Sequence, residues 1–434
     1  MCALRILACF AILVIHPSFS TAQTWVDRTH GSAPGDSGPR IDAIVLREML
    51  NIYRSPARLP SGARVSYNHP SMLCQTRKKT LIFMWNGGPS EGESQNRIFT
   101  IRKPHGADVW SVPMQLEDQQ IDFGTIYQPK KENAPIIAGY WLGPPPRSGT
   151  RMMFSKDDGR TWSNPLPFPK TDDPFWAGPP ANGHLRFSMN PPIEFPDGCL
   201  WWSSERYFDR SLAKAVPAIV VMPSNNHVYN NKEGDLWTSL HPPEFEQGGG
   251  FLGDFLVLSP DYMEIMYLMR SGKDYVTRDK GESWKIIHGT PKDGAAGMPG
   301  AGLAALSLDV DGGPAQGWHV LASSKHPHRK QLFIRISNNP TKPGSWKHVL
   351  TLHEDIPAED ADPSMIQTAD RKIHVLFTGR GSQELKHYVL DPDELIANRP
   401  PAKTPDTWPK TPTHLRAQFL AKDKVRLTWE DRAN

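Results

Sequence analysis

Two octapeptides constrain what this chain can fold into more than any other feature. Ser155-Lys156-Asp157-Asp158-Gly159-Arg160-Thr161-Trp162 and Thr277-Arg278-Asp279-Lys280-Gly281-Glu282-Ser283-Trp284 share the pattern S/T-x-D-x-G-x-S/T-W. Such a pattern predicts a tight hairpin turn. The Asp carboxylate accepts hydrogen bonds from turn N–H groups, Gly supplies a positive φ, and the Trp ring closes the far side as an apolar plug. Ser337-Asn338-Asn339 to Ser345-Trp346 is a degenerate third copy.

Around these turns a longer unit recurs six times, beginning near His69, Asp122, Leu185, Gly253, Ala301 and Asp362. Each unit holds three or four short strands, and the second is apolar at consecutive positions, as in Leu81-Ile82-Phe83-Met84-Trp85 and Ile136-Ile137-Ala138-Gly139-Tyr140-Trp141. Consecutive apolar positions mark strands covered on both faces. A period of about 40 to 60 residues with this content is the signature of propeller blades. The 42 Pro and 34 Gly punctuate the whole chain, which favours many short strands over long helices. The predicted fold is therefore all-β, a six-bladed β-propeller over residues 67–398. Residues 23–66 form an N-terminal leader segment, of which 23–40 read as a leader or as a strand closing the ring. Ile41 to Asn51 is the best short helix candidate.

The ends read differently. Residues 1–22 carry Arg5, an apolar run from Ile6 to Ile15, Pro17, and the small residues Ser20 and Ala22, the layout of a secretory signal peptide. The run is too short to span a bilayer. Export and removal of this segment are predicted, leaving Cys74 and Cys199, each in an apolar run, as buried free thiols. Residues 399–412 are a Pro-rich linker. Residues 413–434 resemble the first two strands of a fibronectin type III module, too short to close such a sandwich.

The octapeptides are similar to the Asp-box, or BNR repeat, of sialidases and related β-propeller proteins. That resemblance implies that the boxes lie on the outer rim and serve structure. In a propeller the innermost strands converge on one axis, so charged residues at apolar strand ends are the site candidates. Arg270, ending Ile265-Met266-Tyr267-Leu268-Met269-Arg270, resembles the strand end where sialidases place one of three arginines that clamp the substrate carboxylate. Arg380, in Phe377-Thr378-Gly379-Arg380, is the second clamp candidate, because its surroundings look like a sialidase-like last blade. Arg186 and Arg97 are further binding candidates. Guanidinium suits a carboxylate because its fork binds both oxygens.

For acid and base work, Gly87-Gly88-Pro89-Ser90-Glu91-Gly92-Glu93 resembles the acidic first-blade loop of the family, offering Glu91 or Glu93. Glu205 follows the strand Leu200 to Ser204, Asp173 sits in a loop, and Asp362 begins the last unit. Two positions depart from the family. Sialidases use a Tyr nucleophile, and sialidase-like last blades usually carry a Tyr before the Pro that starts the strand, where this chain has Ala358-Glu359-Asp360-Ala361-Asp362-Pro363. The usual Arg-Ile-Pro of the first blade reads Asn68-His69-Pro70.

The resemblance implies an exported glycoside hydrolase acting on an anionic, carboxylate-bearing glycan, with no cofactor and no metal. A non-catalytic glycan- or protein-binding propeller and a polysaccharide lyase are the alternatives. A net charge of +3 is too mild to imply nucleic acid. Asp309-Val310-Asp311-Gly312-Gly313 reads as a hairpin turn. His326-Pro327-His328 lacks partners at a metal-binding spacing, and Gly248-Gly249-Gly250 precedes no helix.

Overall fold

The computed structural model describes residues 45–54, 57–58, 64–90, 94–117, 123–142, 150–167, 184–207, 215–222, 238–240, 253–269, 274–287, 302–324, 331–353, 361–379, 384–397, 413–421 and 424–430. The predicted signal peptide lies outside them. The chain starts with β1 (Val45–Arg54) and the small hairpin β2 (Ala57–Arg58) and β3 (Arg64–Val65). The first large sheet is β4 (Tyr67–Gln75), β5 (Leu81–Gly88), β6 (Arg97–Lys103) and β7 (Met114–Gln115), antiparallel in chain order. The second repeats that order with β8 (Phe123–Tyr127), β9 (Ile136–Trp141), β10 (Thr150–Ser155) and β11 (Leu166–Pro167). The third is β12 (His184–Phe187), β13 (Ile193–Glu194), β14 (Leu200–Tyr207), β15 (Ala215–Met222) and β16 (Thr238–Leu240), with β12 and β13 both pairing β14.

The fourth sheet is β17 (Gly253–Val257), β18 (Ile265–Met269), β19 (Asp274–Thr277) and β20 (Lys285–Ile287). The fifth is β21 (Leu303–Ser307), β22 (His319–Ser324), β23 (Gln331–Ser337) and β24 (Lys347–His353). The sixth is β25 (Ala361–Gln367), β26 (Ile373–Gly379) and β27 (Glu384–Leu390), and its fourth strand is β1 from the other end of the chain. After it come the short helix α1 (Pro392–Ala397) and a separate hairpin of β28 (Thr413–Ala421) and β29 (Lys424–Glu430). Among the described residues no helix is long and apolar enough to cross a membrane.

The expected helix at Ile41 to Asn51 is not formed, because Val45–Arg54 is a strand. Its antiparallel pairing with β27 covers an edge that would otherwise present unpaired backbone groups, and that tertiary gain overrides a weak local preference.

The apolar runs are explained by where alternate residues point. In β5, Ile82 and Met84 enter a cluster shared with the second sheet, while Phe83 and Trp85 enter a cluster shared with the sixth. Six such clusters fill the spaces between consecutive sheets, the last lying between the sixth and the first. First strands also touch across sheets: β4 meets β8 and β25, and β21 meets β17 and β25. A side chain such as Phe83, with no exposed surface, contributes on the order of 2–3 kcal/mol by burial. Cys74 and Cys199 are both free, but only Cys74 is buried; Cys199 is half-exposed in its turn.

The octapeptides are the turns between third and fourth strands of the second and fourth sheets. Asp157 accepts from Thr161 N (2.9 Å), Thr161 Oγ1 (2.6 Å), Arg160 N (3.1 Å) and Ser155 Oγ (2.9 Å). Asp279 accepts likewise from Ser283 N (2.9 Å), Ser283 Oγ (2.5 Å) and Thr277 Oγ1 (2.7 Å), and these bonds hold its carboxyl down at about 2. Gly159 and Gly281 have φ of 78° and 88°, and a Cβ there would sit 2.6 Å from Ile82 and 2.5 Å from Trp201 of the preceding sheets. Asp158 makes that junction polar as well, accepting from Thr76 Oγ1 and Thr80 Oγ1 (both 2.6 Å) and Arg102 Nη2 (2.7 Å) of the first sheet.

Candidate functional site

Every sheet has two working edges. At the upper edge, where the first strand begins, the second strand ends and the third begins: Tyr67 pairs Gly88, Gly87 pairs Arg97, and Gly379 pairs Glu384. The box turns occupy the lower edge with the turns joining first and second strands. The strands that lead to the charged candidates Arg270 and Arg380 end at the upper edge, at Met269 and Gly379.

There the first and sixth sheets meet in a chain of three side chains. Tyr67 and His69, two residues apart on β4, have Oη and Nδ1 2.8 Å apart. His69 Nε2 contacts Asp362 Oδ2 of β25 directly. His69 and Asp362 are buried, whereas Tyr67 is half-exposed. With the imidazole proton on Nε2, Tyr67 O–H donates to Nδ1 and Nε2–H donates to Asp362 Oδ2, so the three groups form one line of donors and acceptors.

Local backbone sets this geometry. Register shifts interrupt β4 between Asn68 and Ser71 and β25 between Ala361 and Ser364, and such irregularities re-aim side chains. Asp362 has φ of 48°, and a Cβ on Gly302 would lie 1.9 Å from its Oδ1. Trp85 Nε1 donates to Asn68 Oδ1 at 3.0 Å, fixing the residue between Tyr67 and His69. Gly88 leaves room for the Asn96 amide, whose Oδ1 would be 1.8 Å from any Cβ there.

A match to the BNR repeat-like domain runs over residues 79–375, from the first sheet to the sixth. The chain belongs to that family. No curated protein matches it by sequence. Among solved structures it is similar to the Hadza microbial sialidase Hz136, at 16% identity and a TM-score of 0.54, covering 75% of this chain and 66% of that one. The chain thus spans slightly under two thirds of that relative's length. It is also similar to the NanB sialidase of Streptococcus pneumoniae (12% identity, TM-score 0.55, 80% and 71% covered). A third likeness is to the α-L-arabinanase of Penicillium chrysogenum (12% identity, TM-score 0.51, 79% and 98% covered). The scaffold of this BNR-repeat chain is thus the one on which those glycosidases are built.

The candidates anticipated from sequence distribute unevenly. Asp362 is part of the three-residue chain. Glu205 is buried near the end of β14, where it pairs with Arg186 of β12 in the strand register. Ser203, two residues before it, shares a 2.9 Å hydrogen bond with Tyr267 Oη. Burial, and then the nearby Glu205 and Asp254 carboxylates, push the Tyr267 hydroxyl far up. Arg97 is half-buried, and its Nη1 donates to the Ser94 and Asn96 carbonyls at 2.9 and 2.8 Å, bracing its own turn. Arg270, Arg380, Glu91, Glu93 and Asp173 lie outside the described residues, as do His326 to His328 and Gly248 to Gly250. The strands before Arg270 and Arg380 end at Met269 and Gly379.

Tyr67 and His69 are candidate residues that sequence reasoning missed. Their signal was present in the departure at Asn68-His69-Pro70. The second departure is its complement, since Asp362, which precedes Pro363 where a Tyr is usual, faces His69.

Proposed function

We propose that this protein is an exported, sialidase-like glycoside hydrolase, built as a closed six-bladed propeller over residues 67–398 with β1 of the leader completing its sixth blade, that cleaves an acidic glycan at the upper edge. The signal peptide, the linker and the fibronectin-like tail belong to the same proposal. The observation that carries it is the hydrogen-bonded chain Tyr67–His69–Asp362: a hydroxyl, a base within reach of it, and a carboxylate that orients the base. That is the arrangement by which enzymes activate weak nucleophiles.

In this reading Tyr67 Oη attacks the anomeric carbon as its proton passes to His69 Nδ1, and Asp362 stabilises the imidazolium. A phenol suits an anionic substrate because it gains charge only as it reacts, whereas a carboxylate nucleophile would repel the substrate throughout. A carboxylic acid, Glu205, Glu91 or Glu93, protonates the leaving oxygen and then, as a base, activates the water that cleaves the glycosyl–Tyr67 bond, with His69 returning the proton to Tyr67. Arg270 and Arg380 hold the substrate carboxylate, with Arg186 and Arg97 beside them. The stereochemical outcome is retention.

The test is release of reducing sugar from a panel of sialylated and uronate-containing glycans. Activity is expected with at least one acidic glycan, and Tyr67→Phe and Asp362→Asn should each lower kcat by about 10²–10⁴-fold. Wild-type turnover by Tyr67→Phe, or no cleavage of any glycan that binds, removes the hydrolase reading. Products absorbing as unsaturated uronates would replace it with a lyase, in which the same Tyr–His pair abstracts a carbon-bound proton.

A further inference from the structure

The lower edge holds a cavity that the chemistry above does not use. It measures about 460 Å³, within the range of about 300–1,000 Å³ typical of small-molecule sites. Its walls come from the lower edges of four successive sheets: Lys130 and Lys131 of the second, Glu194 and Phe195 of the third, Tyr262 of the fourth and Asp311 of the fifth. A smaller hollow of 150 Å³ shares Lys130, Glu194 and Tyr262 with it and reaches Asp254 on β17 and Met365 on β25.

Tyr262 is the unusual member. Only 4% of it is exposed, its φ is 60°, and its N–H closes a turn onto Ser259 O at 3.0 Å. A bulky residue seldom adopts that backbone conformation. Its ring packs against Phe195, centroids 5.4 Å apart. Among the described residues its hydroxyl has no hydrogen-bond partner, and the residue lines the cavity, which leaves that hydroxyl open to a ligand. Burial, and then the charges of Asp311 and Glu194, push that hydroxyl up to about 12, so it stays a neutral donor facing two carboxylates.

The neighbouring groups are held ready. Glu194, itself 7% exposed, accepts from Tyr127 Oη at 2.7 Å and from Lys130 N at 2.8 and 3.0 Å. Lys130 Nζ reaches across from the second sheet to Asp311 Oδ2 of the fifth at 2.6 Å. Lys280 Nζ lies 3.5 Å from Asp197, which also lines the cavity. Lys130, Lys131 and Lys280 thus balance Glu194, Asp197 and Asp311. A ligand with strong net charge would meet as much repulsion as attraction. Hydroxyl groups, which donate to carboxylates and accept from ammonium and phenol groups, match the alternation, and the C–H face of a sugar ring matches the Phe195–Tyr262 wall.

We propose that this lower cavity is a second, non-catalytic carbohydrate site that binds a neutral mono- or disaccharide unit through Tyr262, Glu194 and Asp311. It would grip an uncharged stretch of glycan on the side opposite the acidic site, independently of whether that site cleaves.

Binding is measured by isothermal titration on the full chain carrying Tyr67→Phe, so that turnover plays no part, with lactose, cellobiose, arabinobiose and digalacturonate as probes. Saturable binding of at least one neutral disaccharide is expected, weakened about tenfold by Tyr262→Phe and by Asp311→Asn. Asp311 is exposed, so its variant reports binding without endangering the fold. In the otherwise native chain Tyr262→Phe leaves cleavage at the upper edge unchanged. Binding unaffected by either variant, binding of digalacturonate alone, or no saturable binding by any probe overturns the site.

Discussion

Asp158 does what its neighbour Asp157 does not. Asp157 closes its own turn, while Asp158 takes two threonine hydroxyls and the Arg102 guanidinium from the adjoining sheet. Both members of the Arg102–Asp158 pair are largely buried, with side-chain exposures of 15% and 11%. Removing one partner from such a pair strands the other, at a cost of several kcal/mol. Asp158→Ala is therefore expected to destabilise the protein by about 3 kcal/mol in urea unfolding. Lys280, at the equivalent box position, meets the exposed Asp197 and lies 4.9 Å over the Phe195 ring, and Lys280→Ala should cost less than about 1 kcal/mol. Equal midpoints for the two variants would refute this division of labour. At this scale the boxes were legible because donor and acceptor lie within one octapeptide. The Tyr67–His69–Asp362 chain was not, because two of its members come from the first sheet and one from the last, and pattern along the chain does not report contact across it. The lower cavity was hidden for the same reason, since each of its four walls reads locally as an ordinary polar turn.

Among the elements, β26 and β27 carry a titratable pair into the core. His374 Nδ1 and His387 Nε2 are 2.9 Å apart, and His387 also packs against Phe83 and Trp110 of the first sheet. Burial first, with Lys103 adding to it, lowers His374 to about 4 even though Asp370 pulls the other way. His387 is pushed well down by burial, His374 and Lys103. The unfolded chain therefore takes up these protons as pH falls below about 6.5, while in the native state His374 resists until near 4 and His387 is held well down as well. Their contribution is complete above pH 6.5 and drains away as pH falls below it, for His374 down to about 4. His319, lowered to about 4 by burial, titrates in the same window. The thermal midpoint should fall between pH 7 and pH 5, and His374→Leu/His387→Leu should reduce that fall without abolishing it. An identical pH slope in the double variant would show that the pair is not responsible. The strands themselves were readable from their apolar runs, since burial on both faces leaves a local mark. β1 was not, because what makes residues 45–54 a strand is a partner on the far side of the sequence.

The six clusters between sheets, the last joining sixth to first, tie each of the six large sheets to its neighbours. Repeat count and strand order followed from the period of the sequence. What the period could not supply was the closing pairing, in which β1 adds the outermost strand to a sheet otherwise made of β25, β26 and β27. Deleting residues 45–54 exposes the whole edge of β27 to solvent and to other chains. The truncated protein is expected to elute as aggregates in size-exclusion chromatography and to unfold at a lower temperature than the intact chain. A monomeric, equally stable truncation would mean that this pairing is dispensable.

The meeting of His69 with Asp362 also sets a timetable. A ribosome delivers Tyr67 and His69 long before it delivers their acidic counterpart, so an unfinished product of synthesis lacks the carboxylate that His69 contacts. Such a chain completes the line of three side chains only when its last repeat docks beside its first, and any cut that separates those two repeats breaks the line while leaving each of its residues intact.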